Sequence, residues 1–177
     1  MKISVMNARF FGVCLLVTLA APLWGQVTSE YTKTNRANAI ELEQGDPDEP
    51  GGDWIRMRFQ GFGGYDLLFL AGDARSWLNV VHDDQVSDLL SVTMEHAPGS
   101  FAHKANEVVE WRGTHQGKTF TPYAIIYRIA GTDESTGQDR TRLLVFHLKE
   151  GNAVFAGRAE GAGEGEKARA IADRNAP

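Results

Sequence analysis

Histidine and carboxylate crowd most closely at His82-Asp83-Asp84, where an imidazole and two acids could converge on a divalent metal. The same two acids, placed after a strand, also suit the N-cap of a following helix by accepting its orphan amides. The cap is the reading adopted. His96, His103, His115 and His147 fall in no His-Glu-x-x-His or related spacing, so no metal ligand set is assigned. Ser76, Ser87, Ser91 and Ser100 lie in no Gly-x-Ser-x-Gly elbow, so nucleophilic acyl chemistry has no visible centre. The acid pairs Asp83/Asp84 and Glu107/Glu110 read as solvated surface rather than as two carboxylates facing across a glycosidase cleft. Gly61-Phe62-Gly63-Gly64 opens no helix, lacks the helix dipole that holds phosphate, and reads as a turn.

Two patches combine residues favoured in binding. Asp73, Arg75 and Trp77 place an acid, a base and an aromatic within one turn and the start of a strand. Trp111-Arg112 sets an aromatic and a base at the end of another. Trp and Arg unite large contact area with directional donors, which is why they dominate binding hot spots. The structural alternative is an Asp73–Arg75 pair that locks a turn, with both indoles in the core.

The elements that must carry these residues are mostly strands. Trp54 to Phe59 alternates strictly, setting Ile55, Met57 and Phe59 on one face and Trp54, Arg56 and Arg58 on the other. Tyr65 to Leu70 and Arg75 to His82 follow across glycine-bearing turns, with Leu78 and Val80 opposite Trp77, Asn79 and Val81. Ala39 to Glu43, Glu107 to Arg112, Phe120 to Ile129, Arg140 to Lys149 and Asn152 to Arg158 are further strand candidates. Val86, Leu89, Leu90 and Thr93 have helical spacing after Asp83-Asp84, and a stretch from Glu95 to Asn106 reads as an irregular connection. Ala168, Ile171 and Ala172 predict a closing helix over Glu166 to Arg174. The fold class expected is α+β, a mostly antiparallel sheet of seven or eight strands in hairpins with one internal and one C-terminal helix.

Residues 1–25 have a cationic start at Lys2 and Arg9, an apolar run from Phe10 to Leu23, and Gly25 as a small exit residue. That order is a secretory signal peptide, too short for a stable membrane span. The expected organisation is a signal over 1–25, a flexible lead-in over 26–36 and a single domain over 37–177. Cleavage after Gly25 takes the formal charge from −5 to −7 and removes Cys14, the only cysteine. The mature domain is then acidic and cysteine-free. It lacks the clustered Lys and Arg of a nucleic-acid binder and carries no membrane span once the signal is gone. The expected location is the periplasm or beyond.

The chain resembles a family of uncharacterised secreted proteins of alphaproteobacteria and related Gram-negative bacteria. The resemblance rests on Trp54, Gly61-Phe62-Gly63-Gly64-Tyr65, Gly72-Asp73-x-Arg75, Glu110-Trp111-Arg112, Pro122 to Ile126 with Arg128, Gly151-Asn152-Ala153 and Ala170 to Asp173. It implies location and fold but no activity. Members carry two cysteines where this chain has Phe59 and Val154. The resemblance therefore implies an apolar contact in place of a disulfide, with Phe59 and Val154 buried side by side.

With no catalytic signature found, the expected role is a periplasmic module that binds a small ligand or an envelope protein, without cofactor or metal. Its binding residues would come from Asp73, Arg75, Trp77, Trp111 and Arg112. The rival is a small envelope hydrolase with a site near Asp73 and His82; a purely structural envelope protein is the third possibility.

Overall fold

Alternating apolar residues build two antiparallel sheets, packed so that one face of each is dry. The computed structural model describes residues 26–176, so the expected signal segment and Cys14 lie outside the described residues. Sheet A runs β1 (Val27–Lys33), β7 (Ser100–Gln116), β8 (Thr119–Thr132), β9 (Asp139–Lys149) and β10 (Asn152–Ala159), in that spatial order. Sheet B runs β2 (Glu41–Gln44), β3 (Trp54–Gln60), β4 (Tyr65–Gly72), β5 (Arg75–His82) and β6 (Gln85–Ser87). Two helices, α1 (Leu90–His96) and α2 (Glu164–Ala172), complete the set with short 3₁₀ turns.

The inward faces meet in one core. Met57, Phe59, Leu67, Leu78 and Val80 of sheet B pack on Val109, Trp111, Ile125, Tyr127, Leu144 and Phe146 of sheet A. At roughly 25 cal/mol per Å² of apolar surface removed from water, such side chains supply the main stabilising term. Helix α2 forms a third layer. Its Ala168 and Ala172 are fully buried against Ala124, Ile126, Val145 and Ala159 on the outward face of sheet A. Small side chains there let the helix lie close to the strands. Helix α1 bridges the sheet edge, with Leu89 in the core and the Thr93 hydroxyl bonded to that of Tyr127.

The antiparallel character, the hairpin series and the C-terminal helix agree with the expectation, but ten strands form instead of seven or eight. The first extra strand is β1, in the stretch read as a loose lead-in. Its Val, Thr and Tyr residues favour extended backbone, yet as an edge strand it buries only Thr32, so no apolar alternation marks it. The second is β6. Asp83-Asp84 is not a helix cap but the two-residue turn of the β5–β6 hairpin, with Asp83 at φ +52°. The helix begins later, and Asp88 accepts the amide of Leu90. The expected irregular connection also fails from Ser100 onward, because β7 continues through it by way of register shifts. Another shift, between Arg112 and Gly113, admits Pro122 to β8.

The expected Phe59–Val154 contact is overturned. Phe59 is 1% exposed and points into the core, while Val154 is 50% exposed. Its strand neighbours Ala153 and Phe155 turn inward, so the period of two sends Val154 to the opposite face.

Candidate functional site

Strand register decides which of the candidate residues meet. The β4–β5 turn is Asp73-Ala74, so Gly72 pairs with Arg75 and Leu70 with Trp77. The β3–β4 register adds Trp54 opposite Gly72 and Arg56 opposite Leu70. Two rows therefore cross the outward face of sheet B side by side, Trp54–Gly72–Arg75 and Arg56–Leu70–Trp77. Leu90 at the start of α1 closes one flank. Together these residues line a cavity of about 460 Å³, within the range of small-molecule sites.

Gly72 lets the Asp53–Trp54 backbone lie close against β4 between Trp54 and Arg75. A Cβ there would stand 2.9 Å from the Asp53 carbonyl oxygen and 3.3 Å from the Trp54 Cβ. Trp54 is 44% exposed, an indole left largely to solvent. The Trp77 indole N–H is buried and has no hydrogen-bond partner among the described residues. An unmet buried donor costs about 1–3 kcal/mol. The turn beneath is strained as well, since Asp73 and Ala74 sit at φ +48° and +56°. Asp or Asn tolerates that region, whereas alanine does so at a cost. Asp73 also pairs with Arg75 at 3.5 Å across the turn, as the structural reading of that patch expected.

A second cavity of about 440 Å³ opens on the inward side of the same strand ends, under the loop from Gln44 to Asp53. Ile55, Phe69 and Ala71 form its apolar wall, and Ser76 and Lys104 supply polar groups. Trp54, Gly72 and Arg75 belong to both cavities, so they are the ridge between them.

Trp111 and Arg112 do not join this site. They lie inside the long strand β7, not at its end, and in the other sheet. Trp111 is fully buried, and its indole Nε1 donates to the Thr32 hydroxyl at 3.0 Å. Gly61 leaves room for its ring, because a Cβ there would come within 2.6 Å of the indole. Arg112 points outward beneath α2, where Nε and Nη2 donate to the two Asp173 oxygens at 3.0 and 2.6 Å. Its Nη1 donates to Ser29, and Tyr123 donates to Asp173 at 2.7 Å. The neighbouring Glu110 carboxylate accepts from Ser29 and from Arg169 of α2.

Charge follows these contacts. The Asp173 hydrogen bond holds the Arg112 guanidinium above its ordinary value despite burial. Burial pushes the Asp173 carboxyl up, but donation from Arg112 and Tyr123 outweighs it, leaving the group below its ordinary value. Burial, then the bond to Asp173, raises Tyr123 well above the usual phenol range. These are the marks of a structural clasp rather than of a reacting centre.

Asp73, in the turn before β5, and His82, its last residue, lie at opposite ends of that strand, so the two share no site. The strand is eight residues long, which at about 3.3 Å per residue is well over 20 Å. The histidines are dispersed: His82 lies against Tyr65, His96 stacks on Phe155, His115 meets Glu30, and His147 meets the Ala172 carbonyl. Among the described residues no three His, Cys, Asp or Glu side chains converge as a metal would require, and no helix is long and apolar enough to cross a membrane. Trp54, Arg56, Ser76 and Lys104 are site residues that the motif reading missed. Counting outward from the two turns would have aligned Trp54 with Arg75 and Arg56 with Trp77. Comparison with protein-family models, curated proteins and solved structures returned no match, so the chemistry of the site rests on its own geometry.

Proposed function

We propose that this chain is an exported, periplasmic binding module that holds a small, largely apolar ligand against Trp54 and Trp77 on the outward face of sheet B. The observation that carries the reading is the open cavity in which Trp54, Trp77, Leu70 and Leu90 present apolar surface, beside a Trp77 N–H that is unpartnered among the described residues. An apolar body would cover Trp54, Leu70, Trp77 and Leu90. Arg56 and Arg75 form the rim, each beside an acid, Glu43 and Asp73, so the rim orients a ligand without strong net charge. The export segment and the cysteine-free domain support delivery to an oxidising compartment in which no thiol is needed.

Nile red, a neutral dye with one carbonyl acceptor, tests the site. The expected result is saturable binding at one site, weakened at least about tenfold by Trp77→Ala and less by Trp77→Phe, which keeps the ring and removes the donor. Val154→Ser, on a distant exposed surface, should leave binding unchanged. Absence of saturable binding, or binding indifferent to Trp77→Ala, overturns the reading.

A further inference from the structure

The inward cavity adds a charge preference that the outer one lacks. Lys104 is exposed at its edge and, among the described residues, has no carboxylate partner. Ser76 is 94% buried in its wall, being 6% exposed. The Ser76 oxygen accepts the Ala105 amide at 2.8 Å, which leaves its hydroxyl proton available to a second partner. Of the residues lining this cavity, Arg75 and Lys104 are cationic and Asp53 alone is acidic. The outer cavity balances Arg56 and Arg75 against Asp53 and Asp73. The acids of the overlying loop, Asp46, Asp48 and Glu49, are exposed and do not line the cavity.

The two spaces share Trp54, Gly72 and Arg75 in their linings, so one molecule can reach past this sheet end and occupy both. We infer that the ligand is an amphipathic carboxylate, with its apolar body on the Trp54–Trp77 face and its carboxylate seated inward by Lys104 and the Ser76 hydroxyl. This rests on the binding reading above and assigns the headgroup chemistry that reading leaves open. A carboxylate offers two acceptor oxygens, one for the ammonium and one for the hydroxyl. Charge-assisted hydrogen bonds of this kind are about twice as strong as neutral ones.

Competition against Nile red separates the two proposals. Dodecanoate and its methyl ester share a chain and differ in charge. At pH 8 dodecanoate should displace the dye at least about tenfold more effectively than the ester. Lys104→Met should shrink that preference to less than about threefold, and Lys104→Arg should restore it. Equal competition by acid and ester in the unaltered protein overturns the carboxylate seat, as does a preference that survives Lys104→Met. Dye binding with no competition from either compound rejects the amphipathic carboxylate while leaving the Trp54–Trp77 site standing. Failure of the dye itself removes both proposals together.

Discussion

Two tryptophan–arginine pairs occupy opposite sheets, and they differ in whether the indole N–H is met. Trp111 and Arg112 lie in the middle of β7, and their side-chain donors end on acceptors: Thr32, Ser29 and the Asp173 carboxylate. Trp77 and Arg75 lie at a sheet end, where the indole N–H has no partner among the described residues and alanine occupies a left-handed turn. Identical residue types thus perform two jobs. In sheet A they lock the edge strand β1 and the helix α2 onto the core. In sheet B they line open space. An unmet buried donor and a strained turn persist only where the surrounding structure sustains them, and such features gather where proteins bind.

The sharpest way to break the comparison is to truncate both indoles. Trp111→Ala removes a fully buried ring between the sheets and the Thr32 bond, and should destabilise the fold by about 4 kcal/mol. Trp77→Ala removes a half-buried ring whose N–H is already unmet, and should cost only about 1 kcal/mol. Urea unfolding midpoints read both. Equal losses would erase the distinction between a core indole and a site indole.

The clasp around Asp173 supplies the next contrast, in its response to acid. The carboxyl is held below its ordinary value in the folded protein, so the folded state favours the ionised form. The stability it contributes is complete above the unfolded-chain value of about 3.9 and is lost as pH falls through the lower folded-state value. Asp173→Asn should cost about 2 kcal/mol at neutral pH, less than a wholly buried pair, because the carboxylate is 31% exposed. The variant should also lose part of the stability change seen below pH 4. Far-UV circular dichroism during unfolding at pH 7 and pH 3 checks both. An Asp173→Asn protein whose acid sensitivity matches the unaltered chain would show that the clasp does not set it.

The fold was legible wherever burial imposes a period. Trp54 to Phe59 and Arg75 to His82 face as their alternation says, because one side of each strand is dry. Ala168, Ile171 and Ala172 disclosed α2 for the same reason. Strand β1 and the short β6 stayed hidden because edge strands bury little and so impose no pattern. Asp83-Asp84 misled because acids suit helix caps and tight turns alike. Half of the candidate site was legible. Asp73, Arg75 and Trp77 fall within five residues, so one turn brings them together. Trp54 and Arg56 join them only through the cross-strand register. Trp111-Arg112 has the same composition as a hot spot, and only the third layer α2 decides that it is sealed. The Phe59–Val154 expectation failed on parity, since Phe59 faces the core and Val154 the outer side of sheet A.

The smallest effect probes the turn at the foot of the open site. Ala74 holds φ +56° beside Asp73 at +48°, an arrangement that glycine adopts freely and alanine does not. Ala74 also lines the inward cavity, so its strain lies within the site and not at a remote loop tip. Ala74→Gly should stabilise the protein by about 0.5–1 kcal/mol, the relief of the left-handed alanine exceeding the added freedom of the unfolded chain. The same change loosens the hairpin that sets Trp77 against Trp54, so dye affinity should fall, by less than about threefold. Thermal unfolding and dye titration of one sample read both quantities. Stability and affinity moving in opposite directions would mark the strain as part of the site. A loss of stability would instead mean that the Ala74 methyl makes a packing contact worth more than the strain it carries.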